Sequence, residues 1–127
     1  MLRRKKKILV VDDDVDTLMV YERNLSGAGY KVIKARNGNE SLEQAKNESP
    51  DLIIMDIMMP EADGISSILK LKANDRTKDI PVIVATSVEE MEDRTVADRL
   101  GVAGYFVKRA SMETVMERIK EVLDQDG

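Results

Sequence analysis

The residues of this chain with the chemistry for a reaction each follow a short apolar run. Ile8–Val11 leads into Asp12-Asp13-Asp14, Leu52–Met55 into Asp56, Val82–Ala85 into Thr86-Ser87, and Tyr105–Val107 into Lys108. Runs of this length read as buried strands of a parallel sheet, and the carboxyl ends of such strands lie along one edge, where open α/β sheets place their ligands. Groups far apart in sequence can therefore converge there. Two carboxylates about 5 Å apart repel by roughly 3 kcal/mol at an effective dielectric near 20. Three of them need a counter-ion or a raised pKa, and Lys108 supplies a single positive charge. The chain has no His and no Cys, and an all-oxygen pocket suits a hard divalent cation, Mg²⁺. A carboxylate beside a metal, a hydroxyl and a lysine can act as nucleophile on a phosphoryl group. Lys108 and Thr86 would then meet its equatorial oxygens.

Each group alone has a plainer reading. Asp12-Asp13-Asp14 can be a helix start, Asp56 a strand-ending turn residue, Lys108 a surface lysine, Thr86 a structural hydroxyl, and Met55, Met58 and Met59 packing. Those readings weaken together, because all four groups would have to meet by chance at matching strand ends.

The elements that must position these groups alternate regularly. Leu18, Tyr21, Leu25 and Ala28 are spaced as one helix face, with Gly27 and Gly29 as its C-terminal punctuation. Tyr30–Ala35 reads as a strand and Asn37-Gly38 as a turn, followed by a short helix around Glu40–Asn47 with Leu42 and Ala45 inward. Asp51–Met55 is the third strand, and its stretch runs on through Asp56 and Pro60 to Gly64. Ile65–Ala73 is the next helix, 74–80 a polar loop, and Pro81 opens Val82–Ala85. Glu89–Leu100 is a helix with an acidic start, suited to the helix dipole, and Gly101 ends it. After Tyr105–Val107, Ser111 caps a last helix with Met112, Val115, Met116, Ile119, Val122 and Leu123 on one face. Strand and helix thus alternate five times, which implies a doubly wound parallel sheet with helices on both faces.

Composition narrows the classes. The 127 residues suit one compact domain spanning 1–127, and the ending at Leu123–Gly127 lacks linker character, which favours a stand-alone chain. The core is aliphatic, since only 3% of residues are aromatic. The absence of Cys fits a reducing compartment. Five basic residues at 3–7 sit on a chain of net charge −4, so the remainder carries −9. That basic start reads as a solvated arm or as a contact for an anionic partner. The acidic remainder argues against direct nucleic-acid binding. No signal-peptide pattern or long apolar span appears, so a soluble cytoplasmic protein without membrane contact is expected.

Four segments carry a family resemblance: Ile8-Leu-Val-Val-Asp-Asp-Asp14, residues 51–64, Ile80-Pro-Val-Ile-Val-Ala-Thr86 and Gly104-Tyr-Phe-Val-Lys108. In this order, and over essentially the whole chain, they resemble the receiver domains of two-component response regulators, of the chemotaxis-regulator kind. The resemblance implies a flavodoxin-like, five-stranded parallel sheet of strand order 2-1-3-4-5. It implies that Asp56 is the phosphoacceptor for a sensor histidine kinase or phosphotransfer protein. It assigns Mg²⁺ to Asp12, Asp13, Asp56 and the backbone carbonyl of Met58, and the phosphoryl oxygens to Lys108. Thr86 and Tyr105 would be the switch residues. A downstream protein would be controlled through the face of the fourth helix, fifth strand and fifth helix (α4-β5-α5), as a monomer or a phosphorylation-dependent dimer. Such a domain carries self-phosphorylation and self-dephosphorylation chemistry only, and is not an enzyme in the usual sense.

The chain departs from the family pattern at Arg109, where Pro usually follows the lysine. A non-proline cis bond costs about 2.5–4 kcal/mol, so either the site bears that strain or the loop is trans. Ser87 replaces a small Ala or Gly. Met58 and Val88 are apolar where side chains govern water access, and slow hydrolysis of the acyl phosphate is expected. Three rivals compete with this reading. A Mg²⁺-dependent aspartyl phosphatase of the haloacid-dehalogenase kind would carry an acid where Met58 stands, and a cap domain. An electron carrier of the flavodoxin kind would carry a hydroxyl-rich phosphate loop in place of three aspartates. A receiver-like module that works without phosphorylation would not need all five site side chains.

Overall fold

The computed structural model describes residues 5–57, 63–86, 100–108 and 110–125. Its five strands are β1 (Lys7–Val11), β2 (Lys31–Ala35), β3 (Leu52–Asp56), β4 (Val82–Thr86) and β5 (Gly104–Val107). They form one parallel sheet in the order β2-β1-β3-β4-β5. Among the described residues there are four helices: α1 (Val15–Gly27), α2 (Gly38–Glu48), α3 (Asp63–Ala73) and α4 (Met112–Gln125). The last is the fifth helix of the sequence reading. The expected helix at 89–100 lies outside the described residues except for Leu100, which is buried. No helix among the described residues is long and apolar enough to cross a membrane.

Hydrophobic patterning explains the order. The inner strands β3 and β4 are buried at every position, whereas the edge strand β2 alternates exposed Lys31 and Lys34 with buried Ile33 and Ala35. Side chains alternate across a sheet, so each inner strand feeds two cores. Ile8, Val10, Ile54, Ile83 and Phe106 pack with Leu18, Tyr21 and Leu25 of α1 and Val115, Ile119 and Val122 of α4. Leu9, Val11, Ile53, Met55, Val82 and Val84 pack on the other face with Ala45 of α2, Ile68 and Leu71 of α3, and Leu100.

Local chemistry sets the helix ends. Asp14 caps α1 by accepting the Asp16 N–H at 3.0 Å and the Thr17 hydroxyl at 2.9 Å. At the far end Gly29 adopts φ 97°, and the Tyr30 N–H reaches the Leu25 carbonyl at 3.1 Å. Ala28 is therefore an exposed C-cap residue and not part of the inward face expected for it. The expected Asn37-Gly38 turn is a helix start: Asn37 Oδ1 accepts the Glu40 N–H at 2.9 Å, and Glu40 Oε2 accepts the Arg36 N–H at 2.6 Å. Asn and Gly favour turns and helix caps alike, and here the helix continues past them. Replacing Asn37 by Ala should cost about 1 kcal/mol, read as a lower urea midpoint with an unchanged slope.

Candidate functional site

Each site residue is delivered by a strand end. Asp12 follows β1, and Asp56 closes β3 as its last paired residue, opposite Ala85. Thr86 closes β4, and Lys108 follows β5, its N–H bonded to the Thr86 carbonyl at 2.8 Å. Asp12, Asp56 and Thr86 are all buried, with Asp56 only 1% exposed. Burying carboxylates costs free energy unless charges and hydrogen bonds compensate.

That compensation is visible. Lys108 Nζ lies 2.7 Å from Asp56 Oδ2 and 3.3 Å from Asp12 Oδ2, so one ammonium bridges two carboxylates. Asp12 Oδ1 also accepts the Asp14 N–H at 2.9 Å. Asp13 is exposed, yet one carboxylate oxygen from each of Asp12, Asp13 and Asp56 lies within 4.8 Å of the others. The donor set fits Mg²⁺: the donors are oxygens, which this ion takes at about 2.0–2.1 Å, so these three atoms need little adjustment to share it.

The two charge signs perturb one another. Burial pushes the Asp12 carboxyl up from its ordinary value of 3.8, the Asp14 N–H and Lys108 pull it back, and the Asp56 charge adds to the rise. Burial lowers the Lys108 ammonium, but the hydrogen bond and charge of Asp56 and the charge of Asp12 outweigh it and hold the group above its ordinary range. Asp12 binds its proton more tightly when folded. The stability it confers is full below pH 3.8 and lost as pH rises through the raised native value. Ionised Asp12 therefore costs stability at neutral pH. In chelator, Asp12→Asn should raise the urea midpoint at pH 7 and flatten its dependence on pH above 3.8.

Tyr105 lies half-buried on β5, opposite Val84 of β4, and packs against the core on the α2–α3 face. Ser111 caps α4 as expected, its Oγ accepting the Thr114 N–H at 3.2 Å. Met58, Ser87, Val88 and Arg109 lie outside the described residues, and with them the Met58 carbonyl and the Lys108–Arg109 bond.

Two residues gain a role that their sequence positions did not reveal. Tyr21, read as helix core, has its phenol pushed up by burial and then by the charges of Asp12 and Asp56, so it remains protonated behind the site. Gly64 stands in the first turn of α3 against the backbone of Asp56: an added Cβ would lie 2.5 Å from the Asp56 carbonyl oxygen and 2.5 Å from Ile57 Cα. Its place at the end of the 51–64 stretch was the available signal.

The response regulator receiver domain family matches residues 8–120. A probable transcriptional regulator, ycf27, of Porphyridium aerugineum is 38% identical over 120 residues, covering 94% of this chain and 49% of that protein. The alkaline phosphatase synthesis transcriptional regulatory protein PhoP of Bacillus subtilis is 37% identical over 118 residues, 93% of this chain and 48% of that protein. The chain thus spans about half the length of the curated relatives it matches. Among solved structures, the chemotaxis response regulator CheY4 of Vibrio cholerae superposes with a TM-score of 0.86 at 28% identity, covering 94% of this chain and 99% of that one. A CheY-like receiver domain protein of Methanospirillum hungatei gives 0.86 at 29% identity, covering 96% of each.

Proposed function

Because this chain belongs to the receiver domains of two-component response regulators, we propose that Asp56 is its phosphoacceptor. The observation that carries this is the contact of Lys108 Nζ with Asp56 at 2.7 Å, within a cluster of three carboxylates. In the proposed step an Asp56 carboxylate oxygen attacks the phosphorus of a phosphohistidine. The P–N bond breaks, its electron pair stays on the imidazole nitrogen, and an acyl phosphate forms. Mg²⁺ held by Asp12, Asp13, Asp56 and the Met58 carbonyl would offset charge on the phosphoryl oxygens. Lys108 pairs with the same oxygens, and the Thr86 hydroxyl donates to one of them.

The consequence is a switch. Thr86 moves toward the new phosphoryl group, Tyr105 changes rotamer with it, and the surface of β5 and its flanking helices alters for a downstream protein. The phosphodonor is a sensor kinase or phosphotransfer protein in the cytoplasm, and residues 1–127 act as one receiver unit. Incubation with acetyl phosphate and Mg²⁺ should add one phosphoryl group by intact mass, and EDTA should suppress it. An adduct formed equally well in EDTA would contradict the metal-assisted reading.

A further inference from the structure

Asn37-Gly38 has a chemistry that helix capping does not use. Glycine has no Cβ, so its nitrogen can approach the Cγ of a preceding Asn unhindered. In that reaction the Gly38 nitrogen bonds to Asn37 Cγ and gives up its proton to solvent. Ammonia leaves with the electron pair of the broken C–N bond, and a five-membered imide remains. Water opens the imide at either carbonyl, leaving Asp or isoaspartate at position 37. Asn37 is exposed to that water, and no other Asn of the chain precedes Gly.

The fold opposes ring closure. Asn37 has ψ 175°, which staggers its Cβ and the Gly38 nitrogen about the Cα–C bond, whereas the imide needs them nearly eclipsed. Hydrogen bonds on both sides of that bond hold the setting. Asn37 Oδ1 accepts the Glu40 N–H at 2.9 Å, and the Asn37 carbonyl accepts the Ser41 N–H at 3.0 Å. The Ser41 hydroxyl donates to the Gly38 carbonyl at 2.7 Å. Glu40 Oε2 completes the capping box on the Arg36 N–H at 2.6 Å. Rotating ψ to close the ring breaks the Glu40 and Ser41 contacts together, so the first turn of α2 must open first.

We propose that Asn37-Gly38 is a self-modification site, kept in the amide form by the capping box of α2 and converted to isoaspartate when that turn opens. The Asp product still caps the helix. Isoaspartate instead puts an extra carbon into the main chain and displaces the acceptor from the Glu40 N–H. The change falls two residues after Ala35. The Ala35 carbonyl accepts the Asp12 N–H at 3.1 Å, so the product bears on the strand end that supports Asp12.

The test holds the full chain in mildly alkaline buffer at physiological temperature, natively and in urea. The peptide containing Asn37 is followed by mass, with electron-transfer fragmentation separating Asp from isoaspartate. In urea it should convert, and Gly38→Ala should slow it there. The native chain should convert more slowly by about tenfold or more. Glu40→Ala should speed native conversion about fivefold, the factor set by one capping contact. Ile119→Val weakens the core on the other face of the sheet, and should leave the rate unchanged because the opening is local. Native conversion as fast as in urea would overturn the proposal. So would an amide that persists in urea, a Glu40→Ala rate equal to wild type, or an equal acceleration by Ile119→Val.

Discussion

Gly64→Ala should destabilise the protein by about 2–3 kcal/mol and slow phosphoryl uptake by about tenfold or more. The added Cβ would lie 2.5 Å from both the Asp56 carbonyl oxygen and Ile57 Cα, and 3.2 Å from the Asp56 carbonyl carbon. All three atoms are backbone, so no side chain can swing away. Either the start of α3 retreats or the Asp56–Ile57 peptide shifts. Retreat opens the packing of Ile68 and Leu71, both fully buried on the α3 side of the sheet. A shift moves the proposed nucleophile away from Lys108. Urea denaturation reads the first effect, and the rate of phosphoryl incorporation from acetyl phosphate reads the second. A variant with wild-type midpoint and wild-type rate would show that α3 does not press on Asp56.

Lys108→Met should cost about 1–3 kcal/mol at neutral pH in chelator. Removing one member of a buried ion pair typically costs about 3–5 kcal/mol. The Lys108 side chain is 31% exposed, and solvent screening trims that figure. What remains is the repulsion of buried Asp12 and Asp56 with no cation between them. Three outcomes follow from that cause. The loss should shrink as pH falls through the raised Asp12 value, where that carboxylate takes up its proton. Asp12→Asn in the same chain should restore part of the stability. Mg²⁺ should raise the midpoint of the variant, because an ion that binds only the folded state stabilises it. A deficit that is independent of pH and of Mg²⁺ would assign the loss to packing of the lysine stem instead.

Much of the architecture was legible because burial leaves a plain signature in an α/β sheet. Ile8–Val11, Leu52–Met55 and Val82–Ala85 are unbroken apolar runs, and all prove to be strands between two helical layers. Strand ends that share an edge then account for the meeting of Asp12, Asp56 and Lys108 across gaps of up to 96 residues.

What was not legible depends on short-range geometry that one residue type can satisfy in two ways. Asn37-Gly38 suits a turn and a helix start equally, and the Glu40 carboxylate bonded to the Arg36 N–H decides for the helix. Ala28 has the spacing of a buried position, but the left-handed Gly29 ends α1 before it can turn inward. Gly64 carries no side-chain chemistry at all, and only the nearness of the Asp56 backbone gives it meaning. For Asp14 the helix-start reading of the Asp12-Asp13-Asp14 run holds, while Asp12 and Asp13 belong to the acidic cluster. Asp14 is the cap of α1, held below the ordinary carboxylate range by the Thr17 hydroxyl and the Asp16 N–H.

The most direct measurement is peptide mapping by mass spectrometry after acetyl phosphate and Mg²⁺, with borohydride reduction to mark the acyl phosphate. A single mark on the peptide containing Asp56, absent in Asp56→Asn, is the predicted result. A phosphoryl adduct that persists in Asp56→Asn would contradict the assignment of this carboxylate as the acceptor.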